Sequence, residues 1–282
     1  MTGFIVVNKT VGVSSAQEVN KIKRLTNTPC GHMGTLDPMA SGVLPVAVGK
    51  ASRLFDYFLD KRKTYTATFR FGIDSDTLDT TGNVIKTGAP VPDESTVCSV
   101  LDNLCGEVLQ IPPRFSAKNI GGRRAYQIAR EGKEFELPPK KVIIHSVKLL
   151  KKVDEDSYSF EIECGGGTYI RSIARDMGKM LGTCAVMSSL VRTRSGAFTI
   201  DKSVSTDRLT AENIGDFIIA TESVLPYGCV YPSESEAKKL FNGLTVESKL
   251  PDGIYKIFYT DGSFYGLAEV KHSNLKVRTK LC

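Results

Sequence analysis

Residues 31–45 read GHMGTLDPMASGVLP, and they contain residue types that suit a shaped loop better than a helix or a strand. Glycines at 31, 34 and 42 permit sharp or left-handed backbone turns. Pro38 disfavours the helical conformation at the residue before it, so Asp37 is expected to be extended. The stretch therefore predicts a carboxylate held on a loop of fixed shape. In isolation, such an aspartate is as typical of a turn in which the side chain bonds its own backbone.

Two further stretches contain chemistry-bearing residues in unusual places: KTYTA at residues 63–67 and GGGTYIRSI at residues 165–173. Tyr65 begins a predicted strand, where a tyrosine is more often a core residue than a site residue. The three glycines precede a predicted helix, whose free N–H groups can bind an anion. Arg171 lies early in that helix, where the positive end of the helix dipole disfavours a cation. We therefore expect it to have a carboxylate partner. Neither glycine-rich nucleotide-binding motif, GxxxxGK[ST] or GxGxxG, is present.

Over about the first 230 residues, apolar residues recur in some stretches with the spacing of a strand and in others with that of a helix. These stretches do not form a strict β-α-β repeat. A capping box from Ser15 to Glu18 predicts the start of the first helix. Further helices are predicted at 51–59, 97–104, 123–131, 168–181 and 234–241, and strands at 4–7, 65–71, 158–164, 254–259 and 264–270. The mixture predicts an α+β domain with a largely antiparallel mixed central sheet and flanking helices. After a linker at 223–232, a hairpin through Asp261-Gly262 predicts a small C-terminal β module.

The composition favours an anionic partner and gives no sign of a cofactor. The chain has 282 residues and a formal charge of +6, which suits a phosphate-bearing partner without proving one. No apolar run is long enough for a membrane span or a signal peptide, so a cytoplasmic protein is expected. Seven cysteines without a CxxC pair predict reduced thiols and neither a disulfide framework nor a zinc site; they are residues 30, 98, 105, 164, 184, 229 and 282.

In this order and at these separations, the three stretches resemble the signature regions of TruB-type pseudouridine synthases. The resemblance spans nearly all of residues 4–200. It also takes in NKTVGVSS at 8–15, IPPRFSA at 111–117, RAYQIAREG at 124–132 and LVRTRSG at 190–196. The fold it implies is a pseudouridine synthase domain at 1–228, with a thumb-like insert at about 118–141. A PUA-like RNA-binding β-barrel at 229–282 completes the chain.

The resemblance implies a role for each matching residue. Asp37 corresponds to the catalytic carboxylate, Tyr65 to a tyrosine that stacks on the uracil and is a candidate proton acceptor, and Arg171 to the arginine that orients the carboxylate. His32 corresponds to a histidine that packs into the space the target base leaves. The remaining substrate-binding positions are Lys9, Tyr169 and Leu190 at the pocket, and Arg124 and Arg130 on the thumb.

The activity so implied is isomerisation of uridine 55 in the T-loop of tRNA to pseudouridine. The target base is flipped out of its stack, and an aspartate-dependent reaction cleaves and re-forms the glycosidic bond. This isomerisation has no redox step and adds no atom, so neither cofactor nor metal is expected. The expected partner is tRNA, bound at its T-arm and, through the C-terminal module, at its acceptor end. We expect a monomer with no obligatory protein partner.

Two other functions fit part of the same pattern. One is a catalytically weak RNA-binding or tRNA-folding protein, which would have no need of Asp37, Tyr65 and Arg171 together. The other is a guide-RNA-dependent pseudouridine synthase, which the short segment before Phe4 and the thumb-like insert disfavour. An aspartate-dependent hydrolase is disfavoured because such chemistry normally uses a second carboxylate. Thr10, Met33 and Asn119 depart from the family pattern, and they bear on substrate clamping more than on the reaction.

Overall fold

The structure is a computed structural model that describes residues 1–58 and 61–281. The strands, in chain order, are β1 (Gly3–Lys9), β2 (Cys30–His32), β3 (Ser41–Val48), β4 (Lys63–Phe71), β5 (Ile73–Ser75), β6 (Val84–Lys86), β7 (Gly106–Gln110), β8 (Asn119–Ile120), β9 (Arg123–Arg124), β10 (Lys140–Asp154), β11 (Ser157–Cys164), β12 (Ala185–Ser195), β13 (Phe198–Thr199), β14 (Gly228–Val230), β15 (Val246–Glu247), β16 (Gly253–Phe258), β17 (Phe264–Lys271) and β18 (Asn274–Lys280). The α-helices are α1 (Ser15–Thr26), α2 (Glu94–Ser99), α3 (Ala125–Arg130), α4 (Ile170–Met180) and α5 (Glu234–Phe241).

The central sheet has the order β1-β3-β12-β4-β11-β10-β7, with β2 and β13 attached to β3 and β12. Its pairings are antiparallel except for β3 with β12. This confirms the predicted mixed, largely antiparallel sheet. The strands at its centre alternate buried apolar and more exposed polar side chains, as in β4. Helices α1 and α4 cover the apolar face and share one buried cluster with it.

Several predicted elements are confirmed in kind but differ at their boundaries. Helix α1 is capped by Ser14 with Gln17 and not by Ser15, because the Ser15 hydroxyl is used instead to bond the backbone of Leu36. The second predicted helix is a 3-10 helix over Gly49–Tyr57. Its predicted last residue, Leu59, lies outside the described residues. The helix predicted at 97–104 divides into α2 and a 3-10 turn over Asp102–Leu104. Helix α5 has the predicted bounds.

The C-terminal module is a five-stranded sheet of order β14-β16-β17-β18-β15 with α5 packed on it, which confirms a small PUA-like β module. Its first strand begins at Gly228, one residue before the predicted module boundary. The module is packed against the central sheet, since Leu267 and Leu281 are buried in the same apolar cluster as Phe4. The Thr279 hydroxyl also donates to that of Tyr57, 3.0 Å away.

The six cysteines within residues 1–58 and 61–281 are free thiols. The seventh, Cys282, lies outside the described residues. No helix in the described part of the chain is long and apolar enough to cross a membrane.

Candidate active site

The loop that carries Asp37 is held between β2 and β3, which pair with each other in an antiparallel register. Gly34 and Gly42 have φ angles of +113° and +96°, which favour glycine. A Cβ atom at Gly42 would lie 2.3 Å from the Arg192 carbonyl oxygen, so strand β12 leaves no room for a side chain there. The Ala40 N–H donates to the Asp37 carbonyl at 3.0 Å and closes the turn. The predicted loop of fixed shape is therefore present.

Lys9 supports this loop from inside the protein. It is fully buried, and its ammonium donates to the carbonyl oxygens of Thr10 at 2.9 Å, Pro38 at 3.2 Å and Ala40. Burial lowers its pKa to about 8, with Glu18 and Asp37 opposing the shift. We expected Lys9 to line the substrate pocket, but the structure places it beneath the loop with its donors used by the backbone.

Arg192 supports the same loop from the other side. It is completely buried, and its guanidinium donates to the carbonyl oxygens of Val43 at 2.7 Å, Gly34 at 3.0 Å and Thr35 at 3.4 Å. Buried charge is costly unless it is hydrogen-bonded, and here three loop carbonyls supply that compensation. The backbone on both sides of Asp37 is thus bonded to a buried cation.

Arg171 pairs directly with Asp37, as its position in the helix led us to expect. Its Nη2 lies 2.9 Å from Asp37 Oδ2, and its Nη1 lies 3.3 Å from Asp79 Oδ2. The same two nitrogens donate to the carbonyl oxygens of Phe115 at 3.0 Å and Thr77 at 2.9 Å. One guanidinium is therefore fixed by two carboxylates and two carbonyls. Asp37 is the more accessible carboxylate, with 37% of its side chain exposed against 4% for Asp79.

A cavity of about 360 Å³ opens above this ion pair. It is lined by all three predicted catalytic residues together with Tyr169 and Leu190. Tyr65 is buried, and burial raises the pKa of its phenol although Arg192 acts in the opposite direction. The phenol is therefore neutral in the resting site at neutral pH. The lining combines apolar side chains, among them Met187 and Leu190, with Asp37 and several basic groups. Such a cavity suits a flat, polar-edged ring joined to a phosphate backbone, with the chemistry beside the carboxylate.

Tyr169 is positioned by a residue that the sequence did not single out. Its N–H donates to Gln110 Oε1 at 2.7 Å, and its carbonyl accepts from Gln110 Nε2 at 3.1 Å. Gln110 is buried at the end of edge strand β7, so it fixes the first turn of α4, and with it Arg171, to the central sheet.

His32 lies in β2 beside the loop and is not among the residues that line the cavity. Burial lowers its pKa, with Arg192 acting in the same direction, so the ring is neutral at neutral pH. The two arginines of the predicted thumb-like insert lie on the surface. Arg124 precedes α3 and donates to the Ala117 carbonyl at 2.7 Å, while Arg130 stacks on Tyr126 with 5.5 Å between guanidinium carbon and ring centre.

Three charged residues of the site were not predicted from the sequence: Asp79, Arg192 and Lys63. Lys63 lines the cavity, and burial lowers its pKa to about 8 with help from nearby Arg192. A sequence signal existed for Arg192, since it falls among strand residues with apolar neighbours Leu190 and Val191. Asp79 gave none, because DSDTLDTTG at 74–82 looks like an ordinary polar turn. No cluster of metal-ligating side chains occurs within the described ranges.

Solved structures share this arrangement of elements. A Cbf5-Nop10-Gar1 complex contains a chain that superimposes with a TM-score of 0.71 at 23% identity, covering 99% of this chain and 85% of that one. An H/ACA RNP bound to a substrate RNA containing 2′-deoxyuridine gives 0.69 at 22% identity with the same coverage. Together with the loop-borne aspartate, this defines the protein as one with the pseudouridine synthase fold.

The sequence comparisons narrow the class to a family. Residues 23–170 match the TruB family pseudouridylate synthase N-terminal domain, and residues 171–225 match the tRNA pseudouridylate synthase B C-terminal domain. A tRNA pseudouridine synthase B of Clostridium novyi is 36% identical over 289 residues, with full coverage of both chains. One of Francisella philomiragia is 38% identical over 283 residues, covering 98% of this chain and 93% of the relative. The chain belongs to the TruB family of pseudouridylate synthases, which are isomerases.

Proposed function

We propose that this enzyme isomerises uridine 55 in the T-loop of tRNA to pseudouridine, with Asp37 as the catalytic carboxylate. The observation that carries the proposal is the Asp37–Arg171 ion pair at the floor of a cavity walled by Tyr65 and Leu190. The curated relatives bear the name tRNA pseudouridine synthase B over the full length of the chain, which supports tRNA as the substrate.

The reaction conserves every atom of the substrate. The N1–C1′ bond breaks, a C5–C1′ bond forms, the proton on C5 leaves, and N1 gains a proton. Asp37 acts on the target nucleoside through its carboxylate, and the Arg171 guanidinium, 2.9 Å away, fixes the direction of that carboxylate. Because Arg171 is itself held by Asp79 and two carbonyls, it presents a preorganised charge to the carboxylate.

The target base has to leave its stack before Asp37 reaches it, since the cavity is enclosed by protein on several sides. Extrusion of the base costs a few kcal/mol, so contacts between the flipped base and the cavity must offset that cost. We assign these contacts to the ring of Tyr65, which stacks on the uracil, and to Leu190 and Tyr169 at the same cavity. Tyr65 is also the candidate acceptor of the C5 proton, a role that its neutral phenol can take only after it has given up its own proton. His32, neutral and apolar-faced, is assigned to the gap left in the RNA stack.

Basic surfaces beside the cavity suit the RNA backbone. Arg124 and Arg130 lie on the exposed thumb at 118–141, next to a cavity wall that contains Lys118. In the C-terminal module at 229–282, β18 exposes Lys276, Arg278 and Lys280 on one side. We assign the thumb to the T-arm and the module to the acceptor end. The enzyme acts as a cytoplasmic monomer on free tRNA, without guide RNA or a protein partner.

The test is a modification assay with purified protein and an unmodified T-arm stem-loop, without added metal or guide RNA. Pseudouridine is mapped by carbodiimide adduct and primer extension. We expect modification at the single T-loop uridine, and none with Asp37→Asn, which has the same shape but no nucleophilic charge. RNA binding by both proteins is measured in parallel. Tight binding with no modification by the wild type would replace the proposal with an RNA-folding protein or a guided enzyme.

A further inference from the structure

Among residues 1–58 and 61–281, three buried side-chain polar atoms have no hydrogen-bond partner: His32 Nδ1, Ser116 Oγ and Thr183 Oγ1. Folded proteins satisfy most such atoms, because an unpaired buried hydroxyl has given up water and gained nothing. Of these three residues, Ser116 is the one that lines the cavity containing Asp37. A buried hydroxyl without a partner therefore belongs to a residue in the wall of the cavity that contains Asp37.

The backbone around Ser116 is fixed on two sides. The carbonyl of Phe115 accepts from Arg171 Nη2 at 3.0 Å, and the carbonyl of Ser116 accepts from the Tyr126 N–H at 3.0 Å. Ser116 is 4% exposed. The main chain is thus held by Arg171 and by Tyr126, and one bond, Cα–Cβ, sets the direction of the hydroxyl.

We propose that Ser116 is a substrate-binding residue whose hydroxyl takes its hydrogen-bond partner from the flipped nucleotide. This rests on the proposed function. A flipped uridine brings carbonyl oxygens, a ring N–H and a ribose hydroxyl into the cavity. A serine hydroxyl both donates and accepts, so it fits any of these groups. In the free enzyme the unpaired hydroxyl is a small cost, and binding of the nucleotide removes that cost, which adds to affinity.

The first test compares Ser116→Ala with Thr183→Ala. Thr183 is a matched control, because its buried hydroxyl also lacks a partner but lies past the far end of α4 from Arg171. Eleven helical residues put about 16 Å between the two ends. Ser116→Ala should unfold at the wild-type temperature or slightly above, since no bond is lost. It should weaken RNA binding and raise KM by about 3- to 10-fold, as for one neutral hydrogen bond. Thr183→Ala should change neither.

The second test identifies the group that Ser116 contacts. Binding is measured in the Asp37→Asn background, where no reaction occurs, with T-arm RNA carrying either uridine or 2′-deoxyuridine at the target. If the affinity loss caused by Ser116→Ala disappears with the deoxy substrate, the partner is the 2′-hydroxyl. If the loss persists with both RNAs, the partner is the uracil ring. Ser116→Cys, which keeps the shape with a weaker donor, should show a loss in the same direction.

Wild-type affinity and KM for both folded Ser116 variants would overturn the inference, and so would an equal loss in Thr183→Ala. These results are separable from failure of the proposed function. If the wild type forms pseudouridine and both Ser116 variants match it, the inference alone fails. If the wild type binds T-arm RNA but forms none, the proposed function fails, and the affinity comparison still decides whether Ser116 contacts the nucleotide.

Discussion

Asp79→Asn is the substitution that tests how far Arg171 depends on its second carboxylate. Asp79 is 3% exposed. Its Oδ1 accepts from the Thr77 hydroxyl at 2.7 Å and from the Thr81 N–H and hydroxyl at 2.9 and 2.6 Å, while its Oδ2 faces Arg171. Asparagine keeps the shape and the oxygen that these three donors use. It replaces Oδ2 with an NH₂ group. This group and Arg171 Nη1 are both hydrogen-bond donors, so they cannot bond to each other.

The expected loss of rate follows from the contacts that Arg171 keeps in the Asp79→Asn variant. Arg171 keeps Asp37 and two carbonyls, so it is not left as an unpaired buried charge, which would cost about 3–5 kcal/mol. What is lost is the 3.3 Å ion-pair contact with Asp79 Oδ2, which we weigh as one hydrogen bond to a charged group, about 1.5–3 kcal/mol. If this energy is used to hold Arg171 and Asp37 in the reactive geometry, the rate of the chemical step falls about 10- to 100-fold.

The assay is pseudouridine formation at saturating enzyme in a single turnover, with RNA affinity and thermal unfolding measured on the same protein. Asp76→Asn is the matched control, because Asp76 lies on the same turn, is exposed, and uses its Oδ1 for the Asn83 N–H at 2.9 Å. The reasoning is refuted if folded Asp79→Asn reacts within about 2-fold of Asp76→Asn, since a bond of that strength predicts more.

Four further changes test other parts of the site. Lys9→Met should leave the Thr10 and Ala40 carbonyls unpaired, while the Pro38 carbonyl keeps the Gly12 N–H at 2.8 Å. The free energy of unfolding should fall by about 2–4 kcal/mol, measured by urea titration, with RNA affinity of the folded protein nearly unchanged. Gly42→Ala should lower both Tm and activity, since its Cβ meets the Arg192 carbonyl oxygen at 2.3 Å; a wild-type Tm would contradict the packing. The pKa of Lys63 falls from 10.5 to about 8 on folding, so the unfolded chain binds more protons between these values. Stability relative to Lys63→Met should therefore rise with pH across that window, and a fall would contradict the shift. Met33→Thr should change the rate no more than a few-fold, because Met33 lies in the apolar wall beside Phe55 and not at the ion pair; a gain of several hundred-fold would show that Met33 impairs the site.

The sequence predicted the local features of the site because they depend on short-range chemistry. The glycines and Pro38 restrict the backbone around Asp37, and that restriction acts whatever the rest of the chain does. Arg171 against the helix dipole likewise indicated a carboxylate partner before any fold was known. Alternation in β4 predicted a strand with Tyr65 on its buried side. The start of α1 was predicted one residue late, because Ser14 and Ser15 are both chemically able to cap the helix.

Only the tertiary structure decided which distant groups meet. Asp79 is 92 positions from Arg171 and looks like a turn residue, and it becomes part of the site because β5 and β12 bring its loop to α4. Lys9, which fitted the pocket by resemblance, lies under the loop because the Pro38 and Ala40 carbonyls turn inward and need donors. The sequence by itself determined the fold class, the shaped loop that carries Asp37 and the family. Long-range packing decides which cation supports the loop, which carboxylate supports the arginine, and which hydroxyl is left for the substrate. Side chains that are far apart in the chain become partners only when the sheet assembles.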